Sequence, residues 1–210
     1  MKMIFVGRNK EITTILNALE RGENIVLTGK FGIGRTSLVR HISRGVQNHW
    51  RFIFADFSKT AKAICSESLA QLSLGQKDIQ DLTFRLLRSK LTNLNIVGSR
   101  QLVLVMDNIA KISAQKINLV RNLNLHKQFR FIAITEQFLK NNELDRLRGC
   151  LLPSVYMRLS YLTRNESIEL AQRLYQLNAR KPAQRDIELL VTSTHGYPLG
   201  IQRYFQSIPK

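Results

Sequence analysis

The stretch NIVLTGKFGIGRTSLVRHI, residues 24–42, decides the fold of this chain. Its apolar start, residues 25–28, is typical of a buried strand, and the pattern from Arg35 onward is typical of a helix. The glycine-rich turn between them, residues 29–34, can reverse the chain sharply because glycine has no Cβ to block unusual dihedral angles. The main-chain N–H groups of such a turn converge on one point, at which the positive end of the next helix is also directed. The stretch therefore predicts a phosphate-binding loop.

The turn resembles the Walker A motif of P-loop NTPases, G-x-x-x-x-G-K-[ST], in a variant common among AAA+ and STAND ATPases. Arg35 stands where that family has lysine, and its planar fork differs from a compact ammonium group. The resemblance implies ATP or ADP as ligand, with Mg²⁺ held by the hydroxyl of Thr36. The alternative is a glycine-rich turn that binds nothing. The resemblance assigns nucleotide binding to Gly29, Lys30, Gly32, Ile33, Gly34, Arg35, Thr36 and Ser37.

A second segment, QLVLVMDN at residues 101–108, contains five apolar residues in a row and then Asp107. Such a run favours a central strand of a parallel sheet, with the carboxylate at the edge where ligands bind. It resembles the Walker B motif, hhhhD[DE], which implies that Asp107 holds Mg²⁺ through water. Asn108 replaces the glutamate of active members, and an amide orients water but accepts no proton. Hydrolysis is therefore expected to be weak or absent. The alternative interpretation of Asp107 is a turn residue at the strand end.

The segment FVGRNKEI near the N-terminus resembles the F-V-G-R-x-x-E-[IL] box that precedes the Walker A strand in STAND and archaeal AAA-type ATPases. In that family the box packs near the adenine, which implies nucleotide contacts for Val6, Gly7 and Arg8. Asn9 is predicted to cap a helix that continues to about Glu20. A plain N-terminal turn is the alternative interpretation.

The predicted strand at residues 130–135 ends in Thr135, which Glu136 follows. Thr135 resembles the sensor 1 residue of AAA-type proteins, which reads the γ-phosphate. Glu136 is a candidate substitute for the missing water-orienting carboxylate. Together with Asn108 they form the catalytic candidates, and the alternative for both Thr135 and Glu136 is capping of the next helix.

Helices dominate the last fifty residues. Thr163 and Glu166 form a capping-box pattern at the start of one helix. Further on, HGYPLG resembles the G-x-P motif of STAND ATPases, in which a lid helix starts after the proline. The resemblance implies that Pro198 contacts the adenine side of the site, whereas a simple helix–helix corner explains Gly196 and Pro198 without a ligand.

Five predicted strands alternate with helices, which predicts an α/β fold with a parallel sheet and helices on both faces. The strands are predicted at residues 25–28, 50–57, 101–108, 130–135 and 155–159, and two intervening helices at 61–74 and 79–94. The resemblance implies that the Walker A and Walker B strands are not adjacent. We expect a nucleotide-binding domain at residues 1–160 and a small helical lid at residues 161–210.

The charge balance is unusual: 32 Lys and Arg residues against 15 Asp and Glu residues give a net charge of +17. Such an excess makes DNA or another polyanion a candidate partner, and an acidic partner protein is the alternative. Two cysteines form neither a disulfide framework nor a zinc site. No signal peptide or membrane span is evident, so a cytoplasmic setting without membrane contact is expected.

These features predict an ATP-binding AAA+/STAND-type switch with slow or absent hydrolysis, which self-associates or binds a partner protein. The alternative is a DNA-binding scaffold that resembles transposition and replication-type ATPases. In that case the basic surface is the function and the phosphate-binding loop is vestigial.

Overall fold

The computed structural model describes residues 4–72, 79, 81–94, 100–178 and 182–207. Helices and strands alternate through most of the chain. Their bounds are α1 (Asn9–Glu20), β1 (Asn24–Thr28), α2 (Arg35–Gly45), β2 (Trp50–Asp56), α3 (Ala61–Gln71), α4 (Phe84–Thr92), β3 (Gln101–Ile109), α5 (Ala114–Leu125), β4 (Phe129–Thr135), α6 (Asn141–Cys150), β5 (Ser154–Arg158), α7 (Arg164–Leu177), α8 (Gln184–Thr194) and α9 (Pro198–Ser207).

The five strands form one parallel sheet in the order β2-β3-β4-β1-β5. β4 lies between β1, which precedes the glycine-rich loop, and β3, which contains Asp107. The register places Val26 beside Ala133 and Val105 beside Ile132. The carboxyl ends of β1, β3 and β4 therefore meet at one edge of the sheet. The predicted α/β class, the parallel sheet and the separation of the two motif strands are confirmed.

Helices cover both faces of the sheet, as predicted. Side chains of α1 and α2 pack on one face around Ile25 and Leu27, and side chains of α3 to α6 pack on the other around Val26. The last three helices share a separate apolar cluster, which also includes Val6. Val6 of the N-terminal segment is thus buried against the C-terminal helices.

Two predicted helix starts are wrong. Asn9 does not cap α1: the cap position is Arg8, which has left-handed dihedral angles because Gly7 and Arg8 turn against a carboxylate of α7. The predicted helix at 79–94 begins only at Phe84, because the hydroxyl of Thr83 caps it through the N–H of Leu86. Residues 73–74 of the helix predicted at 61–74 and residue 80 of the helix predicted at 79–94 lie outside the described residues.

No helix in the described part of the chain is long and apolar enough to cross a membrane. Cys65 and Cys150 are both buried as free thiols, and burial raises the pKa of Cys65 to about 12. Across the same residues no group of three or more His, Cys, Asp or Glu side chains is placed to hold a metal ion.

Candidate nucleotide-binding site

The glycine-rich loop connects the carboxyl end of β1 to the first turn of α2. Gly32 and Gly34 have φ angles of 73° and 96°, a region that side chains with a Cβ rarely adopt. A Cβ on Gly32 would lie 2.6 Å from the hydroxyl of Tyr197 and 2.6 Å from the side chain of Leu199, whereas one on Gly34 would meet nothing within 4 Å. The C-terminal helices therefore press on one side of the loop, and its other side is open.

The open side of the loop borders a cleft of about 290 Å³. The cleft gathers residues from the N-terminal segment, the loop, the ends of β3 and β4, and the last helices. Of the predicted site residues, those that line it are Val6, Arg8, Gly32, Ile33, Gly34, Arg35, Thr36, Ser37, Asp107, Asn108, Glu136 and Pro198. Gly7, Gly29, Lys30 and Thr135 are not among its lining residues.

Two oxygen-bearing side chains, those of Thr36 and Asp107, meet where the first turn of α2 lies beside the end of β3. The hydroxyl of Thr36 donates a hydrogen bond to Oδ1 of Asp107, with 3.1 Å between the oxygens. Mg²⁺ is bound by oxygen ligands, and a hydroxyl and a carboxylate can serve as such ligands beside phosphate oxygens. Nearby, the hydroxyl of Thr135 is buried and has no hydrogen-bond partner among the described residues. The side-chain oxygens of these residues thus fit a hydrated Mg²⁺ ion and its phosphate ligand.

Arg35, the first residue of α2, is 6% exposed and forms an ion pair with Glu136 at the cleft. Its Nη2 donates to Oε2 of Glu136 at 2.7 Å, and its Nη1 donates to the carbonyl oxygen of Thr135. Both Nη atoms of the guanidinium group are therefore bonded to residues at the end of β4 or directly after it. The sequence suggested Arg35 and Glu136 as separate candidates, and no local signal links two residues 101 positions apart.

The end of β3 contains an irregularity that redirects Asn108. The β3–β4 register shifts between Met106 and Ile109, and Asn108 has a φ angle of 58°. Its side-chain amide donates to Oδ1 of Asp56 at 3.2 Å. Burial alone would raise the pKa of Asp56, but hydrogen bonds from Ser58 and Asn108 outweigh it, so the pKa lies below its ordinary value. Asp56 is therefore an anionic anchor for the Asn108 amide.

Arg8 joins the N-terminal segment to the loop and to the last helices. Its guanidinium group donates to Glu11 at 3.0 Å and to the carbonyl oxygens of Ser160 and Ile33, and its backbone N–H donates to Glu166 at 2.9 Å. A Cβ on Gly7 would overlap the Glu166 carboxylate, at 2.0 Å from Oε1. Gly7 and Arg8 were expected to contact the adenine. In the structure they connect the N-terminal segment to the loop and to α7.

The Glu166 carboxylate performs two tasks. It completes the predicted capping box with Thr163, accepting from the backbone N–H and the hydroxyl of that residue at 2.8 Å each. It also accepts the Arg8 N–H. Burial alone would raise the pKa of Glu166, but these hydrogen bonds and the nearby Arg8 charge outweigh it and hold the pKa below its ordinary value.

Aromatic side chains connect the loop to the C-terminal helices. The hydroxyl of Tyr197 donates to the carbonyl oxygen of Phe31 at 2.8 Å. Lys30 donates to the hydroxyl of Tyr161 at 2.8 Å and lies 5.0 Å from the centre of that ring. Lys30 therefore points away from the cleft, while Pro198 is buried at its rim. The two tyrosines were missed from the sequence, because only their packing on the loop distinguishes them.

The profile of the AAA ATPase domain matches residues 4–134, which is more than half of the chain. The chain belongs to the AAA ATPase domain family. Members of this family in general bind ATP with Mg²⁺. The match spans the N-terminal segment, the loop and the strands β1 to β4, and so covers most of the cleft wall.

Solved structures of AAA+ proteins share this fold at low sequence identity. A Thermotoga maritima RuvB variant has a TM-score of 0.64 at 16% identity, over 96% of this chain and 61% of that one. The replication initiator DnaA, bound to AMPPCP and single-stranded DNA, has 0.62 at 14%, over 97% and 61%. The Aeropyrum pernix ORC2 protein has 0.62 at 14%, over 84% and 55%.

The chain thus spans 55–61% of the length of these proteins. A sequence comparison with curated proteins found no significant match.

Proposed function

We propose that this AAA ATPase domain binds ATP or ADP with Mg²⁺ in the cleft and acts as a nucleotide-dependent switch that hydrolyses ATP slowly or not at all. The observation that carries the proposal is the convergence on one cleft of the loop, the Thr36–Asp107 pair and Pro198. Bound Mg²⁺ would neutralise part of the phosphate charge there.

Each part of the cleft has a distinct task in this proposal. Main-chain N–H groups between Gly32 and Ser37 hold the phosphates, as the open space at Gly34 permits. Thr36 and Asp107 hold the metal ion, directly or through water. Val6 and Pro198 form the apolar wall on which a base packs. Family resemblance and lining position support these assignments.

Slow hydrolysis follows from the state of positions 108 and 136, at which a carboxylate would activate the attacking water. Asn108 carries no carboxylate, and its amide is bonded to Asp56. Glu136 is the other candidate, but its carboxylate pairs with Arg35. This ion pair holds a carboxylate oxygen that would otherwise be free to accept a proton from the attacking water. The loss of a general base costs about 10²–10⁴-fold in rate.

The switch itself rests on contacts between the loop and residues 161–210, which we assign to a helical lid on the nucleotide-binding domain of residues 1–160. Tyr197 is bonded to the loop carbonyl of Phe31, and Leu199 packs at Gly32. A ligand that changes the conformation of the loop therefore changes the contacts that hold the lid. In this proposal the lid position reports nucleotide state to a second copy of the chain or to another protein.

A titration with a fluorescent ATP analogue tests nucleotide binding. We expect saturable, Mg²⁺-dependent binding in the micromolar range for the native chain, and weakened metal dependence in Asp107→Asn. The control Asp145→Asn changes a carboxylate of α6 that is exposed and absent from the cleft lining. Lack of saturation below millimolar analogue, with Mg²⁺ present, would rule out the proposal.

A DNA-binding scaffold is the second candidate, and the net charge of +17 favours it. Among the similar structures, DnaA is bound to single-stranded DNA and the Aeropyrum pernix ORC1 protein is in complex with DNA. Each phosphate neutralised on duplex DNA adds roughly 0.9 to the slope of log affinity against log salt. We expect a slope well above one for a DNA role, and a flat response would exclude it.

A further inference from the structure

The loop cation of this site is neutralised by the neighbouring strand end. Nη2 of Arg35 lies 2.7 Å from Oε2 of Glu136, and the two side chains are 6% and 16% exposed. Water therefore screens this pair only weakly. The pair contributes almost no net charge, whereas the lysine of a P-loop supplies one positive charge beside the phosphates.

No other cation replaces it in the described part of the cleft wall. Of the residues that line the cleft, the charged ones are Arg8, Arg35, Asp107 and Glu136, two cations and two carboxylates. Arg8 is bonded to Glu11 and to two carbonyl oxygens. Before a ligand or metal ion binds, the formal charges of this wall therefore cancel.

The backbone of Glu136 is fixed by two hydrogen bonds of its own. Its N–H donates to the carbonyl oxygen of Ile109 at 3.0 Å, and its carbonyl oxygen accepts the N–H of Leu139 at 3.1 Å. Both bonds fix the start of the segment that follows β4. The backbone of Glu136 is therefore held at the cleft wall independently of the bond between its side chain and Arg35.

We propose that Glu136 makes the cleft selective for nucleoside diphosphates over nucleoside triphosphates. This inference rests on the proposed function, because it concerns the ligand of the same site. The side chain at the Arg35 position of a P-loop reaches the β- and γ-phosphates. A carboxylate paired with that side chain lies beside the end of a triphosphate, and the terminal phosphate adds a further negative charge there. Like charges a few ångströms apart in a poorly screened site repel.

A swing of Arg35 from Glu136 to the terminal phosphate does not remove this penalty. The movement would leave the Glu136 carboxylate, only 16% exposed, without its cation. A partly buried charge that loses its partner is strongly unfavourable. Both arrangements therefore disfavour the third phosphate, and a diphosphate meets neither cost.

Isothermal titration with Mg²⁺-ADP and Mg²⁺-ATP tests this selectivity. For the native chain we expect ADP to bind at least about tenfold more tightly than ATP, which corresponds to about 1.4 kcal/mol. In Glu136→Gln the ratio should fall to about one, through tighter ATP binding. The matched control Glu169→Gln removes a carboxylate of α7 that pairs with Arg173 outside the cleft, and it should keep the native ratio.

Two further variants keep the test informative if Glu136→Gln is unstable. In Arg35→Lys the carboxylate remains, so the preference for ADP should persist. In Arg35→Lys with Glu136→Gln a free ammonium faces the phosphates, and ATP should bind more tightly than ADP. Melting curves identify variants that are folded.

The outcomes separate this inference from the proposed function. Equal or tighter ATP binding by the native chain, or an unchanged ratio in folded Glu136→Gln, would overturn the selectivity while leaving a nucleotide site. Binding of neither nucleotide to the native chain would overturn the site itself.

Discussion

The loop between β1 and α2 and the carboxyl ends of β3 and β4 face each other across one cleft, but they are built from different parts of the chain. The loop presents main-chain groups, and its glycines have the positive φ angles of a phosphate-binding turn. The strand ends present side chains, and there Asn108 is bonded to Asp56 and Glu136 pairs with Arg35. In the proposed function, phosphate binding and hydrolysis therefore rest on separate structures and can be changed separately.

The largest effect is expected from breaking the loop. Gly32→Ala should lower the affinity for ADP and ATP by more than about hundredfold, equivalent to about 2.7 kcal/mol. Its Cβ would lie 2.6 Å from Tyr197 and Leu199, at a φ angle of 73°. The control Gly45→Ala adds a methyl group at the end of α2 with nothing within 4 Å. Near-native affinity in Gly32→Ala would show that the loop does not hold the phosphates.

The next effect concerns the strand ends and should raise activity. Asn108→Glu combined with Asp56→Asn should increase ATP turnover by at least about tenfold, because a general base contributes about 10²–10⁴-fold. Asn108→Glu alone should gain less, since the new carboxylate would face Asp56, which now accepts the Asn108 amide. Steady-state phosphate release at saturating ATP measures both. An unchanged rate in the folded double variant would mean that another group limits hydrolysis.

A third effect tests the joint between the N-terminal segment and the lid. Glu166→Gln should lower the free energy of unfolding by about 1.5 kcal/mol, the scale for hydrogen bonds to a charged group. Three donors, from Arg8 and Thr163, point at this carboxylate. Urea unfolding of Glu166→Gln beside Glu169→Gln, an exposed carboxylate of the same helix, isolates the contribution. Equal unfolding free energies of the two variants would show that Glu166 does not stabilise the contact between the N-terminal segment and α7.

The same carboxylate gives a pH dependence with a defined sign. The pKa of Glu166 is lower in the folded chain than its ordinary value of 4.5. Its stabilisation is therefore fully present above about pH 4.5 and is lost as the pH falls through the lower folded pKa. Asp56 acts in the same direction. The difference in unfolding free energy between the native chain and Glu166→Gln should shrink as the pH falls below 4.5, and a constant difference would contradict this assignment.

The smallest effect concerns the contact between loop and lid. Tyr197→Phe removes the hydroxyl that donates to Phe31 but keeps the ring beside Tyr161, with centroids 5.9 Å apart. We expect a loss of about 0.5–1 kcal/mol in unfolding free energy, as for a single neutral hydrogen bond. Nucleotide affinity should change less than about threefold, which corresponds to about 0.7 kcal/mol. A larger loss of affinity would place the tyrosine hydroxyl in the site itself.

Local patterns were sufficient to predict most of the fold. The apolar run before Asp107 and the glycines between β1 and α2 predicted a parallel sheet and the edge at which the cleft lies. The capping box of Thr163 and Glu166, and the helix after Pro198, also form as predicted. These features depend on residues a few positions apart, so that periodicity and turn chemistry reveal them.

The contacts that give the site its particular character could not be predicted in this way. The Arg35–Glu136 pair and the bond between Arg8 and Glu166 join residues 101 and 158 positions apart. Both depend on which strand ends and helices become neighbours. The left-handed angles at Arg8 and Asn108 likewise follow from tertiary contacts, and the former explains why Asn9 fails as the predicted cap.

The most direct test of nucleotide binding in the cleft is a two-dimensional ¹H–¹⁵N NMR titration of the native chain with Mg²⁺-ADP. We predict saturable shifts of the backbone amides of Gly32, Gly34 and Thr36, with smaller shifts at Val6 and Leu199 on the cleft wall. Amides that remain unshifted at millimolar nucleotide, or shifts confined to exposed basic residues outside the cleft, would contradict it.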